Sequence, residues 1–379
     1  MDDRIWKGVE ALLDDYVGLR AADRVLLLYT SDSHRSAALV SAALEMRDVR
    51  FDRLWMAPLN DPGFRDRLEA VLPSPDSLAG RLILLTFERD TFSHTVALTE
   101  ALARYDPNRL LMFRSISASE ALFAQALNAS PDQLSQRNAS LLERFVGASH
   151  LRVKTRGGSD LEIAIDSERY RWISNRGRAR PGGVTILPAG EVATFPAAIS
   201  GVHVADFAFN INMITSRDAR LDRAPVRLSI EEGRVNDFSC EDPDMRAFVE
   251  DCLVRQCASN VGELGFGTNW CIDRPIAMNS HINERRPGVH LGLGQHNQGP
   301  GAVGYQCPIH FDLIASGGLV YVDDDPVPID LENVVPSMAP HPTQTRDEDV
   351  FSPDALDISE EDCCGMLACA AEAEQQSTG

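Results

Sequence analysis

The sequence predicts an α/β fold in which an N-terminal parallel α/β (Rossmann-like) domain precedes a mainly β C-terminal domain with one long helix. Strand-like apolar runs alternate with helical patterns over the first 149 residues, and glycine, proline and β-branched residues increase after residue 150. One clear helical pattern, 242–259, interrupts the later strands, and apolar periodicity ends near Pro336. We therefore expect domains at 1–149 and 150–335, followed by a flexible, acidic, cysteine-containing tail at 336–379.

Four short apolar runs in the first domain are predicted to be strands of one sheet. They lie at 24–29, 51–56, 81–87 and 109–113, and helical patterns lie at 4–18, 34–46, 63–71, 95–104, 118–127 and 132–146. Continuous apolar runs between helices are typical of a parallel sheet covered on both faces. A nucleotide site after the first run is not expected, because residues 29–34 contain no glycine and no phosphate-binding motif. His34 and His94 are predicted to begin helices.

The second domain is predicted to begin with a β-hairpin. Val153–Thr155 and Leu161–Ile165 flank a glycine-containing turn at 156–160. Further strands are expected at 184–187, 203–209 and 226–231. Asp242 is suited to cap the long helix, and Asn260-Val261-Gly262 is suited to end it.

The charge balance argues against two classes of partner. The chain of 379 residues carries 36 basic and 56 acidic residues, a formal net charge of −20. This excess disfavours nucleic acid and an anionic membrane surface as main partners. The first residues contain acids and no hydrophobic secretory segment, and no apolar run approaches the length of a membrane span. We therefore expect a cytoplasmic location.

The eight cysteines are spaced irregularly, which does not indicate a disulfide framework in a reducing compartment. Cys252 and Cys257 fall on the predicted long helix and are expected to be small buried thiols. In the tail, acids at 360–362 precede three cysteines, Cys363, Cys364 and Cys369. A frayed terminus is the simplest interpretation. The alternatives are a tail that an enzyme modifies, as in the core of a ribosomally made peptide, and a tail metal or redox site.

The chemistry of the chain is predicted to centre on a histidine and an aspartate two positions apart. His310 and Asp312 interrupt the apolar run Cys307–Ile314. Because side chains alternate along a strand, Phe311 and Leu313 would face a core, whereas His310 and Asp312 would share the other face, about 7 Å apart. An imidazole and a carboxylate on one rigid strand are good ligands for a divalent metal.

Three further stretches offer ligands in glycine-containing surroundings. Glu191 follows a proline–alanine–glycine turn, Glu263 comes just after the long helix, and His290 begins a leucine–glycine repeat. Together with His310 and Asp312, they supply three carboxylates and two imidazoles. Such a set can hold two divalent ions, or one ion with acid–base groups beside it.

These motifs resemble the aminopeptidase T/aminopeptidase S family of metallo-aminopeptidases. The matching motifs lie within residues 150–325: Gly158-Ser159-Asp160-Leu161, Leu187-Pro188-Ala189-Gly190-Glu191-Val192, Gly262-Glu263, His290-Leu291-Gly292-Leu293-Gly294-Gln295 and His310-Phe311-Asp312. The resemblance implies that two Zn²⁺, Co²⁺ or Mn²⁺ ions are bound by Glu191, Glu263, His290, His310 and Asp312. It also implies a homodimer that removes an N-terminal residue or cleaves an amide with metal-activated water, acting on a small peptide or small molecule.

The chain departs from this family at one ligand. The family places a metal-binding tyrosine where this chain has Asn297, and the neighbouring His296 is the candidate substitute. In the hydrolase interpretation, Glu263 is the candidate general base, and His296 orients or protonates a reacting group. The candidates for substrate binding are Arg285, Arg286, His281 and Asn297.

Two other functions stay open. The related 2,5-dihydroxypyridine dioxygenases, which use mononuclear non-haem iron, resemble this chain in length, at Cys307-Pro308 and at Tyr321–Asp324. A mononuclear Fe(II) oxygenase would use His310 and Asp312 with His290 or Glu263, leaving positions for O₂ and substrate. A degenerate family member would instead bind a peptide, such as its own tail or a related precursor, without catalysis.

Overall fold

A computed structural model of the chain describes residues 2–90, 92–299, 301–342 and 345–346. It confirms the predicted mixed α/β class, with one five-stranded parallel sheet and two seven-stranded, mainly antiparallel sheets. The tail cysteines Cys363, Cys364 and Cys369 lie outside the described residues. Their predicted roles therefore stay predictions.

The helices and strands are numbered in chain order. The helices are α1 (Asp3–Ala11), α2 (His34–Met46), α3 (Phe64–Val71), α4 (Thr95–Leu102), α5 (Glu120–Ala124), α6 (Pro131–Phe145), α7 (Pro243–Leu253) and α8 (His281–Glu284). The first strands are β1 (Arg24–Tyr29), β2 (Arg50–Trp55), β3 (Leu82–Phe87), β4 (Leu110–Ser115), β5 (His150–Lys154), β6 (Asp160–Ala164), β7 (Trp172–Asn175), β8 (Val184–Leu187) and β9 (Glu191–Thr194). The remaining strands are β10 (Ala198–Ala205), β11 (Ala208–Ile211), β12 (Val226–Glu231), β13 (Arg234–Ser239), β14 (Val261–Gly267), β15 (Gly288–Gly294), β16 (His310–Ser316), β17 (Leu319–Val322), β18 (Ile329–Asp330) and β19 (Thr345–Arg346).

The chain divides into two compact units whose limits differ from the predicted boundary at residue 149/150. Of the described residues, the first unit contains those up to Pro131 together with Gly177–Ala189, and the second contains Asp132–Arg176 and those from Gly190. Helix α6 belongs to the second unit because its apolar face joins that unit's core. Strand β8 belongs to the first unit because it pairs in parallel with β4.

The parallel sheet of the first unit has the strand order β2-β1-β3-β4-β8. All six residues of β3 are buried, as expected for a central strand covered on both faces. On one face, leucines of β1 and β3 pack with Phe64 of α3 and Leu98 of α4. The alternation of apolar runs and amphipathic helices in the sequence therefore predicts this unit well.

The second unit places two sheets around one core. Their strand orders are β13-β12-β10-β6-β5-β17-β18 and β11-β16-β15-β14-β9-β7-β19. Leu161 and Ile163 from the first of these sheets belong to the same hydrophobic cluster as Phe266, Leu291 and Phe311 from the second. The second sheet, which we call the site sheet, thus has one face in the core and its other face available for polar groups.

The prediction that Cys257 is a buried free thiol is wrong. Cys257 forms a disulfide with Cys307, and the two Cα atoms lie 5.6 Å apart. The cysteines are separated by 50 residues in sequence, so only the tertiary fold brings them together. Helix α7 ends at Leu253, and Cys257 lies in a following 3₁₀ turn, Gln256–Ser259. Cys252 is a buried thiol as predicted, and burial raises its pKa to about 12.

Among the described residues, no helix combines the length and the apolar character that crossing a lipid bilayer requires.

Candidate metal centre

The polar face of the site sheet carries a cluster of candidate metal-ligand side chains. Five neighbouring strands contribute, in the spatial order β11, β16, β15, β14 and β9. They supply, in that order, Asn210, the pair His310 and Asp312, His290, Glu263 and Glu191. Five sequence-predicted ligands, spread over more than a hundred residues of chain, therefore lie on adjacent strands.

Strand β16 shows why the two polar residues of the central motif share a face. Phe311 and Leu313 are buried in the core, and His310 and Asp312 alternate with them along the strand. In the neighbouring strand β15, Gly292 lies opposite Asp312 and Gly294 opposite His310. The two-residue period of the strand therefore places His310 and Asp312 on the same face, and the pairing with β15 determines which residues lie beside them.

Two glycines of the site sheet make room for these side chains. A Cβ atom added to Gly265 would lie 2.0 Å from His290 Nε2. One added to Gly292 would lie 2.7 Å from His310 Cε1 and 2.9 Å from both Asp312 Oδ1 and Glu263 Cβ. All these distances are shorter than a Cβ atom normally makes, so a side chain at either position would displace the ring residues.

A ring of contacts connects the cluster, and its first half runs through Arg285. Glu263 Oε1 lies 3.5 Å from His290 Nε2, which lies 2.9 Å from Glu191 Oε1. The other oxygen of Glu191, Oε2, accepts a hydrogen bond from Arg285 Nη1. Arg285 Nη1 also lies 3.0 Å from Glu284 Oε1.

The second half of the ring returns from Glu284 to Glu263. Asn210 Nδ2 donates to Glu284 Oε2 at 2.9 Å and to Asp312 Oδ2 at 3.4 Å. Asp312 Oδ1 lies 3.0 Å from His310 Nε2, which lies 4.0 Å from Glu263 Oε2. The longest of these separations joins His310 and Glu263, whose side chains are 19% and 11% exposed. Access to the ring is therefore from this edge.

Several buried atoms of the ring lack a hydrogen-bond partner among the described residues. They are Glu191 Oε1, both ring nitrogens of His290, and Asp312 Oδ1. Neighbouring charged atoms lie within ion-pair distance of three of them but are not aligned for hydrogen bonding. Buried polar atoms normally have a hydrogen-bond partner, so these unpartnered atoms fit a site that binds a cation.

Three of the side chains form a compact ligand group. One ligand atom each from Glu191, Glu263 and His290 lies within 4.8 Å of the others, and all three residues are buried. Carboxylate oxygens and imidazole nitrogens are both ligand types for zinc and related divalent ions. The donor chemistry of this chain therefore fits a divalent metal at this position.

Opposite charges set the protonation of the ring residues in the absence of metal. Burial lowers the pKa of His310, but Asp312 and Glu263 outweigh burial and raise it to about 10. Burial likewise opposes the neighbouring carboxylates at His290, whose pKa is raised well above its ordinary value. Burial raises the pKa of Asp312 to about 6, against the effect of His310. The carboxylates thus hold protons on the imidazoles, and a metal would have to displace them.

Glu284 was not among the predicted site residues. Burial would raise its pKa, but His281 and Arg285 lower it to about 2, so this carboxylate is ionised. It lies at the end of the short helix α8, beside the first arginine of the sequence Asn283-Glu284-Arg285-Arg286. In the sequence, its position shortly before the strand that contains His290 could have indicated a site residue. The sequence around Asn210 contained no such signal, because an asparagine in an apolar strand does not indicate which strands will lie beside it.

The predicted substrate-binding residues fall in different places. Arg285 is part of the ring, and His281 begins α8, where burial lowers its pKa. Arg286 lies elsewhere, donating to the Ile272 carbonyl at 3.0 Å and pairing with Glu332 at 3.3 Å. The substrate roles of these residues stay predictions.

His296 and Asn297 are buried and lie just after the end of β15, the strand that contains His290. The ring nitrogens of His296 face the Tyr305 carbonyl, 3.0 Å from Nε2, and the Gln298 amide, 3.2 Å from Nδ1. Asn297 accepts a hydrogen bond from Gln298 at 2.6 Å, while its own Nδ2 has no partner among the described residues. The predicted catalytic role of His296 stays a prediction, and backbone groups occupy both its nitrogens.

Comparison with known proteins shows what this fold and site resemble. A family model described as "Crocagin biosynthetic protein CgnE/B" matches residues 200–313, under half of the chain. That segment includes Glu263, His290, His310 and Asp312, but it does not include Glu191. No curated protein matches.

Two solved structures share the fold over nearly the whole chain. The 2,5-dihydroxypyridine dioxygenase from Pseudomonas putida KT2440 is 16% identical with a TM-score of 0.56, covering 90% of this chain and 97% of that one. Wild-type AmpT from Thermus thermophilus is 12% identical with a TM-score of 0.51, covering 88% and 99%. At these identities the likeness shows a shared fold and nothing more. The class is thus a mixed α/β protein with the fold of these two proteins and a buried candidate metal centre.

Proposed function

We propose that this protein is a metal-dependent hydrolase that cleaves an amide bond, such as the one after an N-terminal residue. Glu191, Glu263 and His290 are the ligands in this proposal, and the observation that carries it is the position of Glu191. Its open Oε1 atom lies beside His290 Nε2 in the compact ligand group. A second carboxylate ligand of this kind suits a Lewis-acidic metal used for hydrolysis.

The remaining ring residues have distinct tasks in this proposal. A divalent ion bound here would polarise a substrate carbonyl and lower the pKa of a water. Glu263 Oε2, at the accessible edge of the ring, would act as the general base for the attacking water. His310, whose Nδ1 faces the Gln295 carbonyl at 2.8 Å and whose Nε2 lies 3.0 Å from Asp312 Oδ1, is assigned the proton that the leaving amine requires. Arg285 holds Glu191 and Glu284 in place.

A second candidate is a mononuclear iron oxygenase. The observation that favours it is the ligand set His290, His310 and Asp312 on the adjacent strands β15 and β16, which contains two histidines and one carboxylate. In this alternative Glu191 would not be a ligand and would serve as the partner of Arg285. The fold shared with the 2,5-dihydroxypyridine dioxygenase is compatible with this chemistry but does not assign it.

Metal analysis and substituted variants separate these functions. The full chain would be purified anaerobically, its metals measured by mass spectrometry, and a panel of short peptides and aminoacyl amides assayed, with O₂ uptake followed in parallel. We expect zinc, cobalt or manganese and the release of an amine without O₂ uptake. One bound iron with O₂ uptake would support the oxygenase instead. Failure to bind any metal would contradict both functions and favour the peptide-binding interpretation.

The variants test Glu191 directly. Glu191→Gln should weaken metal binding about 100-fold, because it replaces a charged ligand with a neutral amide. Glu263→Gln should reduce the rate of hydrolysis more than any change in metal content explains. Glu332→Gln is the matched control, since Glu332 pairs with Arg286 outside the ring. Full metal content in Glu191→Gln would contradict the proposed ligand set.

A further inference from the structure

Arg285 is a buried cation inside a cluster of buried carboxylates. Its side chain is 5% exposed, and the side chains of its partners Glu191 and Glu284 are 7% and 6% exposed. Nη1 of this one guanidinium contacts an oxygen of each carboxylate. A guanidinium stays protonated in proteins, so its positive charge is a permanent part of the ring.

This contact changes what Glu191 can offer to a metal. Oε2 of Glu191 is engaged by Arg285, and Oε1 is the atom that lies open beside His290. With one oxygen engaged, Glu191 can be a terminal ligand to one ion but cannot bridge two. A second divalent ion next to Glu191 Oε2 would also be repelled by the guanidinium in a buried, weakly screened environment.

On the opposite side of the ring, the described residues form no equivalent ligand group. Glu284 uses Oε1 for Arg285 and Oε2 for Asn210, so both of its oxygens have partners. The amide of Asn210 also reaches Asp312 Oδ2, and His310 Nδ1 faces the Gln295 carbonyl, so Asp312 Oδ1 and His310 Nε2 are the atoms left on this side. Among the described residues, the compact group of three ligands is Glu191, Glu263 and His290.

From these contacts we infer that the ring binds one divalent ion, at Glu191, Glu263 and His290, and that Arg285 takes the place of a second ion. His310 and Asp312 then remain outside the ligand set of this ion. This inference rests on the proposed function only in requiring a metal at the site. It replaces the expectation of two ions that the sequence resemblance implies.

Metal stoichiometry in Arg285 variants tests the inference. The full chain would be stripped with a chelator and titrated with Mn²⁺, counting bound ions by equilibrium dialysis and recording electron paramagnetic resonance spectra. We expect the wild type to bind one equivalent with the hyperfine sextet of an isolated ion. Arg285→Met removes the charge at similar length and should bind a second equivalent with spin coupling between the two ions. Arg285→Lys keeps the charge and should bind one.

The adjacent Arg286 supplies the control. Arg286→Met removes a guanidinium that pairs with Glu332 outside the ring, and it should leave the count at one. Two spin-coupled ions in the wild type would overturn the inference and leave the hydrolase proposal standing. A folded Arg285→Met protein that binds a single ion would also overturn it. If circular dichroism shows that Arg285→Met does not fold, the wild-type spectrum decides. Failure of the wild type to bind metal would overturn the proposed function itself.

Discussion

At the scale of single residues, the site depends as much on two glycines as on its candidate ligands. Gly265 and Gly292 lie on the polar face of the site sheet, and each would place a Cβ within 3 Å of ring atoms. Both backbones are in extended strands, so the requirement is for space rather than for an unusual backbone angle. A glycine in a strand often marks a position where another group approaches closely.

Gly292→Ala should therefore damage the metal centre while the core face of the strand is unchanged. The new methyl group would displace His310, Asp312 or Glu263, and we expect metal affinity to fall about tenfold or more. Isothermal titration with Zn²⁺ measures this change. Gly299→Ala is the control, because a Cβ atom at Gly299 meets nothing within 4 Å. Equal affinities in the two variants would mean that the ring adapts to the methyl group.

At the scale of elements, helix α3 is anchored by a carboxylate in the loop before it. Asp61 accepts hydrogen bonds from the Ala57 amide at 2.9 Å and from Arg67 Nη2 at 2.7 Å. The hydrogen bond from Arg67 holds the pKa of Asp61 at about 2, below the ordinary 3.8, against the opposing effect of burial. A carboxyl with a lowered pKa in the folded state stabilises that state above about pH 4 and loses the contribution as the pH falls toward 2.

Urea unfolding between pH 5 and pH 3 tests this anchor. The free energy of unfolding of the wild type should fall more steeply with decreasing pH than that of Asp61→Asn, which has no proton to gain at this position. Asp66→Asn changes an exposed carboxylate in the same helix and should keep the wild-type slope. Parallel slopes for the wild type and Asp61→Asn would contradict the role of Asp61.

A second element-scale feature is the disulfide that joins the 3₁₀ turn after α7 to the segment entering β16. Cys307 lies three residues before His310, so the disulfide restrains the segment that leads into β16. A cross-link that closes a loop of about 50 residues stabilises a protein by roughly 3–4 kcal/mol, mainly through the unfolded state.

Cys257→Ser and Cys307→Ser should each lower the free energy of unfolding by about that amount. Dithiothreitol should destabilise the wild type to a similar extent and leave the two variants unchanged. Cys271→Ser is the control, since Cys271 is a free thiol. Denaturant unfolding with and without reductant measures all four proteins, and a thiol titration of the wild type that finds no disulfide would contradict the pairing.

At the scale of the whole molecule, the predicted homodimer stays a prediction. The sequence resemblance implies it, and the single chain has a mass of 41.6 kDa. Sedimentation equilibrium should therefore give twice that mass if the chain pairs.

The net charge of −20 should also keep the protein from binding DNA at physiological salt, which a gel-shift assay checks against a basic protein of similar size.

The sequence alone determined the features that follow from local rules. Strand periodicity placed His310 and Asp312 on one face because side chains alternate every two residues. Helical and apolar patterns located most elements of the first unit to within a few residues. The short motifs that contain Glu191, Glu263, His290, His310 and Asp312 predicted five candidate ligands, and the structure places all five on neighbouring strands of one sheet.

Only the tertiary structure decided the features that depend on which strands are neighbours. Arg285 meets Glu191 across 94 residues and Asn210 meets Asp312 across 102, and no local pattern encodes either contact. Strand β8 pairs with β4 in the first unit although the chain on both sides belongs to the second. The ring forms because five strands pair in one order and α8 brings Glu284 and Arg285 to the same face. The packing of a shared core sets that order, and no single motif contains it.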